Sequence, residues 1–334
     1  MRARRLTLVP MANDVVTADL EVQLEAHRRE LTAYSYRMLG SGFEAEDAVQ
    51  ETFIRAWKNI DRFEGRSSLR SWLYRIATNV CLDMVRGPQR RARPMDFGPS
   101  TPIESAVVGT AHSEKTWVQP IPDARVVPAD GDPADQALAR ETIRLAFIAA
   151  LQNLPPKQRA VLILREVLRW QASEVAELLD TTVASVNSAL QRARETMGDV
   201  NIDETATTVD DDQQELLARY VDAFERYDIA ELVSMLRADA VLSMPPYALW
   251  LQGRDDIAGW FLGEGIGCKG SKLVAVEANG GPAFGSYRSD EQGGHAPWAL
   301  QILEVEDGLI VGHHNFLDTE LFEQFGLPAH LPAS

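Results

Sequence analysis

Two stretches of this 334-residue sequence combine side chains that recognise nucleic acids. In residues 63–75, the aromatic residues Phe63, Trp72 and Tyr74 are interleaved with arginines; rings stack on unpaired bases while guanidinium groups hold phosphates. In residues 183–197, amide, hydroxyl and guanidinium groups recur along one predicted helix, and these groups read base edges. The members of this second group are Ser185, Asn187, Ser188, Gln191 and Arg192. The chemistry indicates single-stranded DNA for the first stretch and the major groove for the second.

The first stretch follows an amphipathic helix predicted over residues 44–60, where apolar side chains recur every three or four residues. The next predicted helix begins at Ser68, a residue type that caps helix N-termini, and ends at Gly87-Pro88. Phe63 and Trp72 could instead be core residues of this helical block. A solvated helix face would equally account for the charges on the first helix, so the residue types alone leave both alternatives open.

The second stretch lies in a predicted helix-turn-helix. Residues 173–179 predict a short helix, Asp180-Thr181-Thr182 a turn, and residues 183–197 the helix that carries the polar group. In such a motif the second helix enters the major groove. A packing module that never touches DNA has the same pattern, so this block alone does not decide between the two.

Charge and composition divide the chain into successive blocks. Residues 24–95 hold 13 Lys and Arg against 9 Asp and Glu, whereas residues 199–334 hold 7 against 24. The net charge of −16 therefore comes largely from the C-terminal third and does not exclude phosphate contacts by the basic blocks. The predicted divisions are an N-terminal extension without fixed structure (1–23), a first helical domain (24–95), an acidic, proline-rich linker (96–135), a second helical domain (136–198), an acidic linker (199–212) and a C-terminal α+β domain (213–328).

The remaining composition favours a cytoplasmic protein. Cys81 and Cys268 lie far apart in the sequence, which is typical of reduced thiols rather than of a disulfide framework. The histidines and cysteines lack the spacing of metal ligands, and no segment has the roughly 18 consecutive apolar residues that a membrane helix needs. We therefore predict no metal site, no cofactor and no membrane partner.

Two strings in the first helical domain, EDAVQETF at 46–53 and SWLYRIATN at 71–79, resemble region 2 of the extracytoplasmic-function (ECF) sigma factors. The resemblance implies docking of the first string on the β′ clamp helices of core RNA polymerase, through Asp47, Gln50, Glu51 and Arg55. It also implies that the second helix and the loop before it capture a flipped base of the melted −10 promoter element, for which pocket contacts offset the cost of unstacking. The matching positions are Phe63, residues 65–68, Tyr74, Arg75 and Asn79.

In the second helical domain, LPPKQR at 154–159 and VNSALQRARE at 186–195 resemble region 4 of the same family. The resemblance implies recognition of the −35 promoter element and contact with the β flap of the polymerase. Asn187, Ser188, Gln191 and Arg192 match the positions that read the −35 bases. Many family members carry an arginine in place of Asn187 and an aromatic residue in place of Gln191, so the family's −35 sequence does not transfer to this chain.

The C-terminal domain resembles the SnoaL-like branch of the NTF2-like fold, a curved sheet wrapped over helices around a cone-shaped cavity. Some relatives with that fold are enzymes, which need an acid/base side chain in the cavity; candidates here are His313, His314, Asp318 and Asp239. Adjacent strand residues face opposite sides, so His313 and His314 cannot both line one pocket. A second group either lines an apolar pocket for a small-molecule ligand or belongs to the core or a contact surface: Met244, Tyr247, Trp250, Trp298 and His314.

The order of the blocks, with WVQPIPD at 117–123 in the linker, resembles the mycobacterial sigma G group of ECF sigma factors. The resemblance implies a promoter-recognition subunit of RNA polymerase that is not an enzyme. Two alternatives are a one-component regulator that senses a small molecule and a SnoaL-like enzyme fused to DNA-binding helices. The polymerase-docking strings argue against a one-component regulator, because a repressor has no use for them. The C-terminal domain lacks a convincing acid/base pair, which argues against the enzyme. We expect the acidic C-terminal domain to pack against the helical domains or the linker, favoured by charge complementarity with mildly basic surfaces, and to regulate them in cis.

Overall fold

The computed structural model describes residues 20–63, 65, 67–86, 90–198 and 211–333. Most of the predicted N-terminal extension (1–23) and of the predicted acidic linker (199–212) therefore lies outside the described residues. Among the residues described, no helix is both long and apolar enough to cross a lipid bilayer.

The first helical domain contains three long helices, α1 (Arg28–Leu39), α2 (Gly42–Lys58) and α3 (Leu69–Met84), with a 3-10 turn at Ile60–Arg62. The Ser41 side chain caps α2 by accepting from the Glu44 amide. Ser68 caps α3 by accepting from the Ser71 amide, which confirms the predicted start of that helix. These caps fix where the two helices begin.

The second helical domain contains α4 (Pro133–Glu141), α5 (Leu145–Gln152), α6 (Pro156–Leu162), α7 (Ala172–Leu178) and α8 (Val183–Met197). A π-helical turn at Ile163–Val167 follows α6. The turn between α7 and α8 contains Asp180 with φ +49°, a conformation that aspartate tolerates better than most residues. The Thr182 side chain then caps α8. The predicted helix-turn-helix is therefore present.

The segment between the two helical domains is packed rather than extended through solvent. It contains 3-10 turns at Pro94–Asp96, Ile103–Ser105, Glu114–Thr116 and Asp123–Arg125. Trp117 and Ile121 are buried. The Gln119 amide donates to Gly40 O of the first helical domain, while Trp117 Nε1 donates to Pro246 O of the C-terminal domain. The predicted linker thus contacts both the first helical domain and the C-terminal domain.

The C-terminal domain is a six-stranded sheet, and the first three helices of the domain pack on one face of that sheet. Its elements are α9 (Asp211–Arg226), α10 (Ile229–Ser234), β1 (Leu236–Ser243), β2 (Trp250–Gln252), α11 (Arg254–Leu262), a 3-10 turn (Glu264–Cys268), β3 (Lys272–Ala278), β4 (Gly281–Ser289), β5 (His295–Glu306), β6 (Leu309–Phe316) and α12 (Leu321–Gln324). The strand order is β2-β1-β6-β5-β4-β3, and only β1 and β6 run parallel.

The two faces of this sheet contribute to different cores. Phe284 and Leu303 belong to the core under α9, α10 and α11. Their sequence neighbours Ala283 and Ile302 belong to a core that also contains residues of both helical domains. Since successive strand residues alternate between faces, one sheet stabilises the C-terminal domain and also joins it to the rest of the chain.

Candidate nucleic-acid interface

The face of α8 that is predicted to read the −35 element is open to solvent. Ser185, Asn187, Ser188, Gln191 and Arg192 are all exposed, and Val186, Leu190 and Ala193 are buried beneath them. Gln191 Nε2 donates to Glu195 Oε1 at 3.0 Å, a contact on the surface of the same helix. In the structure this predicted recognition surface is therefore accessible to solvent.

The predicted polymerase-docking face lies along α2. Asp47 and Gln50 are exposed, whereas Glu51 and Arg55 are half-buried and form an ion pair at 2.7 Å. Arg55 also approaches Asp83 of α3 at 3.5 Å. All four residues therefore lie on one side of the first helical domain.

The predicted −10 face is partly covered. Tyr74 is fully buried, with its ring centroid 5.2 Å from that of Tyr34 and 5.1 Å from that of Trp170 in the second helical domain. Its hydroxyl donates to Glu30 Oε2 at 3.2 Å, and burial raises the pKa of Tyr74 above the usual value. The side chain expected to meet an unpaired base thus packs against another domain.

The neighbouring −10 candidates are arranged around this contact. Arg75 is exposed, but its Nη2 donates to Glu177 O of α7 at 2.9 Å. Phe63 packs on Trp72 with 5.0 Å between ring centroids, and Asn79 is exposed. The second helical domain therefore lies over part of the surface that would receive the melted strand.

Two buried arginines reinforce the packing of the helical domains. Arg37 of α1 donates to Thr142 O at 3.2 Å and to Thr142 Oγ1 at 2.7 Å. Arg159 of α6 donates to Met38 O and to Gln152 Oε1. Burial lowers the pKa of both guanidinium groups to about 10, so both stay charged at neutral pH. We call this packing of the two helical domains, with Tyr74 covered, the closed arrangement.

A hairpin turn of the C-terminal domain reaches into the closed arrangement. Asn279-Gly280 joins β3 to β4, and both residues have positive φ, +54° and +77°, as a two-residue hairpin turn requires. Asn279 Nδ2 donates to Tyr36 Oη at 2.6 Å and to Ile143 O at 2.7 Å, and its Oδ1 accepts from the Ile121 amide at 3.1 Å. One side chain, only 4% exposed, therefore joins the first helical domain, the linker and the second helical domain.

The second residue of that turn makes a contact that depends on its lack of a side chain. The Gly280 amide donates to Asp123 Oδ1 at 2.9 Å. A Cβ on Gly280 would lie 2.5 Å from Arg140 O at the end of α4. Burial raises the pKa of Asp123 to about 6, although the Gly280 hydrogen bond acts in the opposite direction. The contacts of the turn are hydrogen bonds and close packing rather than the charge complementarity expected from the sequence.

The acid/base candidates of the C-terminal domain do not converge. His313 faces the core under the helices, where its Nε2 hydrogen-bonds Tyr220 Oη at 3.0 Å, and burial lowers its pKa to about 3. His314 faces the other side of the sheet and hydrogen-bonds Ser243 Oγ through Nδ1 at 2.8 Å. Asp239 is exposed and paired with Arg237. Within the described residues no cluster of metal-ligating side chains occurs.

The residues that could line an apolar pocket of the C-terminal domain also lie apart. Trp250 Nε1 donates to Gly98 O of the linker, and Trp298 lies under the Arg288 guanidinium at 3.3 Å. Met244 is buried in the core, and Tyr247 is packed against that core. None of these residues, nor His314, lines the cavity of about 640 Å³ between α9, the sheet and α4. That cavity is lined instead by side chains such as Leu217, Phe284, Leu303, Arg140 and Arg144.

Sequence reasoning missed the residues that join the domains. Asn-Gly between two alternating strands is a strong hairpin signal and could have located the turn. Its partners Tyr36, Ile121 and Ile143 lie 136 to 243 residues away along the chain, and no local pattern connects them. Arg37 and Arg159 likewise read as surface cations until their burial is known.

Three protein families match successive parts of the chain: Sigma-70 region 2 over residues 24–91, Sigma-70 region 4 over residues 144–197 and the SnoaL-like domain over residues 217–313. The ECF RNA polymerase sigma factor SigG of Mycobacterium tuberculosis (strain H37Rv) is 43% identical over 320 residues, which cover 94% of this chain and 85% of that protein. SigJ of the same strain is 27% identical over 305 residues, covering 86% of this chain and 88% of that protein. The crystal structure of Mycobacterium tuberculosis SigJ has the same fold, with a TM-score of 0.59 at 22% identity over 92% of this chain and 100% of that one.

Proposed function

Since this chain belongs to the ECF sigma factors of RNA polymerase, we propose that its C-terminal domain controls promoter recognition in cis by stabilising the closed arrangement. The family places the chain among transcription initiation factors, which bind core polymerase and promoter DNA. The observation that carries the proposal is the burial of Tyr74 against Trp170. A base cannot stack on a ring that another domain covers.

The predicted contacts with polymerase and with the two promoter elements differ in how accessible they are in the closed arrangement. We propose that α2 docks on the β′ clamp helices through Asp47, Gln50, Glu51 and Arg55, and that the second helical domain meets the β flap and reads the −35 element through exposed side chains of α8. The −10 contacts of Phe63, Tyr74, Arg75 and Asn79 require the two helical domains to separate. Binding to polymerase therefore has to overcome the closed arrangement before the melted strand is captured.

Contacts made by the C-terminal domain add to the free energy needed to separate the two helical domains. Asn279 bonds both helical domains and the linker at one point, and all three partners are distant in sequence. A buried polar contact of this kind is costly to break because each partner then needs a new hydrogen bond. The sign of the effect that we propose is inhibitory.

We propose further that the C-terminal domain performs no catalysis of its own. His313 is enclosed by the core, and its hydrogen bond to Tyr220 leaves it without access to a reacting atom. His314 and Asp239 lie on other surfaces of the domain. A small molecule could act instead through the cavity of about 640 Å³, because that cavity is lined by both Gly280 and Arg140 and an occupant would contact the turn.

Asn279→Gly tests the proposal because glycine keeps the positive φ of the turn while removing the amide group. Asp307→Gly is the matched control, since Asp307 has φ +50° in the exposed β5–β6 turn. Both full-length variants are titrated against core polymerase in run-off transcription on a promoter that the wild type uses. We expect Asn279→Gly to reach half-maximal transcription at a concentration at least tenfold lower than wild type, and Asp307→Gly to match wild type.

Equal activity of wild type and Asn279→Gly over the titration would exclude inhibition by the turn. A loss of activity in Asn279→Gly alone, with thermal unfolding unchanged, would reverse the sign and make the C-terminal domain an activator.

A further inference from the structure

A cleft of about 750 Å³ lies where the end of α3, the linker and the start of α6 meet. Its walls carry five cationic side chains and one carboxylate, with Gln152 and several apolar side chains between them. The charged residues are Arg86, Arg90, Arg91, Lys115, Arg159 and Glu44. In a chain of net charge −16, this concentration of positive charge at one junction requires an explanation.

Two of the cations are compensated within the protein. Arg91 forms an ion pair with Glu44 at 2.8 Å, and Arg86 pairs with Asp83 at 2.6 Å. Arg90 and Lys115 are exposed at the rim, Arg90 from the end of the first helical domain and Lys115 from the linker. Arg159 comes from the second helical domain. The three remaining cations therefore belong to three different segments.

Arg159 is the most unusual of the three, because it is only 4% exposed. Its guanidinium donates mainly to carbonyl oxygens, among them Gln152 O at 3.1 Å and Leu154 O at 3.2 Å, which supply dipoles but no counter-charge. Within the described residues, its Nε has no hydrogen-bond partner. Burial, and then the positive charge of Arg90, lower the pKa of Arg159 to about 10. An anion in the cleft would offset both effects.

We propose that this cleft binds a small anion that carries two or more phosphate groups. The volume falls within the range of about 300–1,000 Å³ that is usual for small-molecule sites. Three uncompensated cations on separate walls match the several negative charges of a di- or triphosphate. Because the anion would contact all three segments, its binding favours the closed arrangement over the separated one.

The phosphates of promoter DNA are the alternative occupant. The structure favours a small anion, because Arg159 lies at the buried end of a concave site, whereas a polynucleotide backbone passing over the surface meets the exposed rim. The two occupants can also be distinguished by experiment, because an inorganic polyphosphate should saturate a site that fits a small anion.

The test measures binding of tripolyphosphate to the full-length chain by isothermal titration calorimetry in 150 mM salt. The informative variant is Arg90→Ala/Lys115→Ala, which removes two exposed cations of the rim. The matched control, Lys58→Ala/Lys269→Ala, removes two cations that are exposed elsewhere. Circular dichroism and thermal unfolding verify that both variants keep the fold of the wild type.

We expect saturable binding by the wild type, a Kd at least tenfold higher in Arg90→Ala/Lys115→Ala, and a Kd within twofold of wild type in the control. Equal weakening by the two double variants would overturn the proposal, because it would show only a dependence on net charge. Absence of saturable tripolyphosphate binding below millimolar concentration would also overturn it. If the affinity for single-stranded DNA then falls in Arg90→Ala/Lys115→Ala but not in the control, the cationic side chains of the cleft contact DNA instead.

Discussion

Gly280→Ala should open the closed arrangement by steric means. The added Cβ would lie 2.5 Å from Arg140 O and 2.9 Å from the carbonyl carbon of the same residue. Both atoms are main chain at the end of a helix, so they cannot move aside as a flexible side chain would. The turn has to withdraw by several tenths of an ångström from the seam between the helical domains.

The cost of this withdrawal follows from the contacts that it breaks. Five hydrogen bonds of 2.6 to 3.2 Å join the turn to Tyr36, Ile143, Ile121 and Asp123, two of them to the main chain of Ile121. At about 1 kcal/mol each, loss of all five amounts to about 5 kcal/mol, which lowers the ratio of closed to open chains by up to about five-thousandfold. Alanine at positive φ costs a further 1–2 kcal/mol or so, but this strain affects the fold of the hairpin rather than its docking.

Gly308→Ala separates the two effects. Gly308 has φ +73° in the corresponding β5–β6 turn, and a Cβ there would meet nothing within 4 Å. The assay is hydrogen exchange of the Ile121 amide, which donates to Asn279 Oδ1 in the closed arrangement. We expect much faster exchange at Ile121 in Gly280→Ala and wild-type exchange in Gly308→Ala. Equal exchange in the two variants would refute the reasoning, because strain alone would then explain both.

Three further predictions concern other parts of the interface. Arg192→Ala should weaken −35-dependent transcription about 10- to 100-fold while core-polymerase binding, measured by native gel shift, stays at wild type; full promoter activity would contradict the role of α8. Trp170→Ala should weaken the packing of the second helical domain on Tyr74, favour separation of the two helical domains and raise affinity for a single-stranded −10 oligonucleotide at least tenfold in fluorescence anisotropy. Unchanged affinity would contradict coverage of that face. Because burial raises the pKa of Asp123 to about 6, the folded state binds its proton more tightly than the unfolded state. Stability from this group is therefore lost as pH rises from about 4 to about 6. Asp123→Asn should consequently unfold at a higher temperature than wild type at pH 7 and near the wild-type temperature at pH 4, and an equal difference at both pH values would contradict the assignment.

Local features of the fold were predictable from the sequence. The helix of residues 183–197 agrees with the prediction to the residue, because Thr182 caps it and apolar residues recur along one side. The helix predicted to end at Gly87-Pro88 ends at Met84, and the one predicted over 44–60 spans Gly42–Lys58, since periodicity fixes a helix but not its last turn.

The relation between domains was not predictable. Tyr74 matches a base-contacting position in its family, and only the position of Trp170 on another domain reveals that it is buried. The acidic charge of the C-terminal domain led us to expect electrostatic docking on basic surfaces. The structure instead uses one face of the sheet and hydrogen bonds such as those of the Asn279-Gly280 turn, because buried apolar area and satisfied hydrogen bonds are less affected by screening than surface charge.

The most direct test of the account is the separation of the two helical domains in solution. Spin labels on the exposed positions Lys58 of α2 and Ser188 of α8, with Cys268 replaced, report this separation by pulsed electron resonance in the free chain and in its complex with core polymerase. We predict a single short distance in the free chain and a longer one in the complex. A free chain that already shows the long distance, or a complex that keeps the short one, would contradict the claim that the C-terminal domain holds the −10 face closed until polymerase binds.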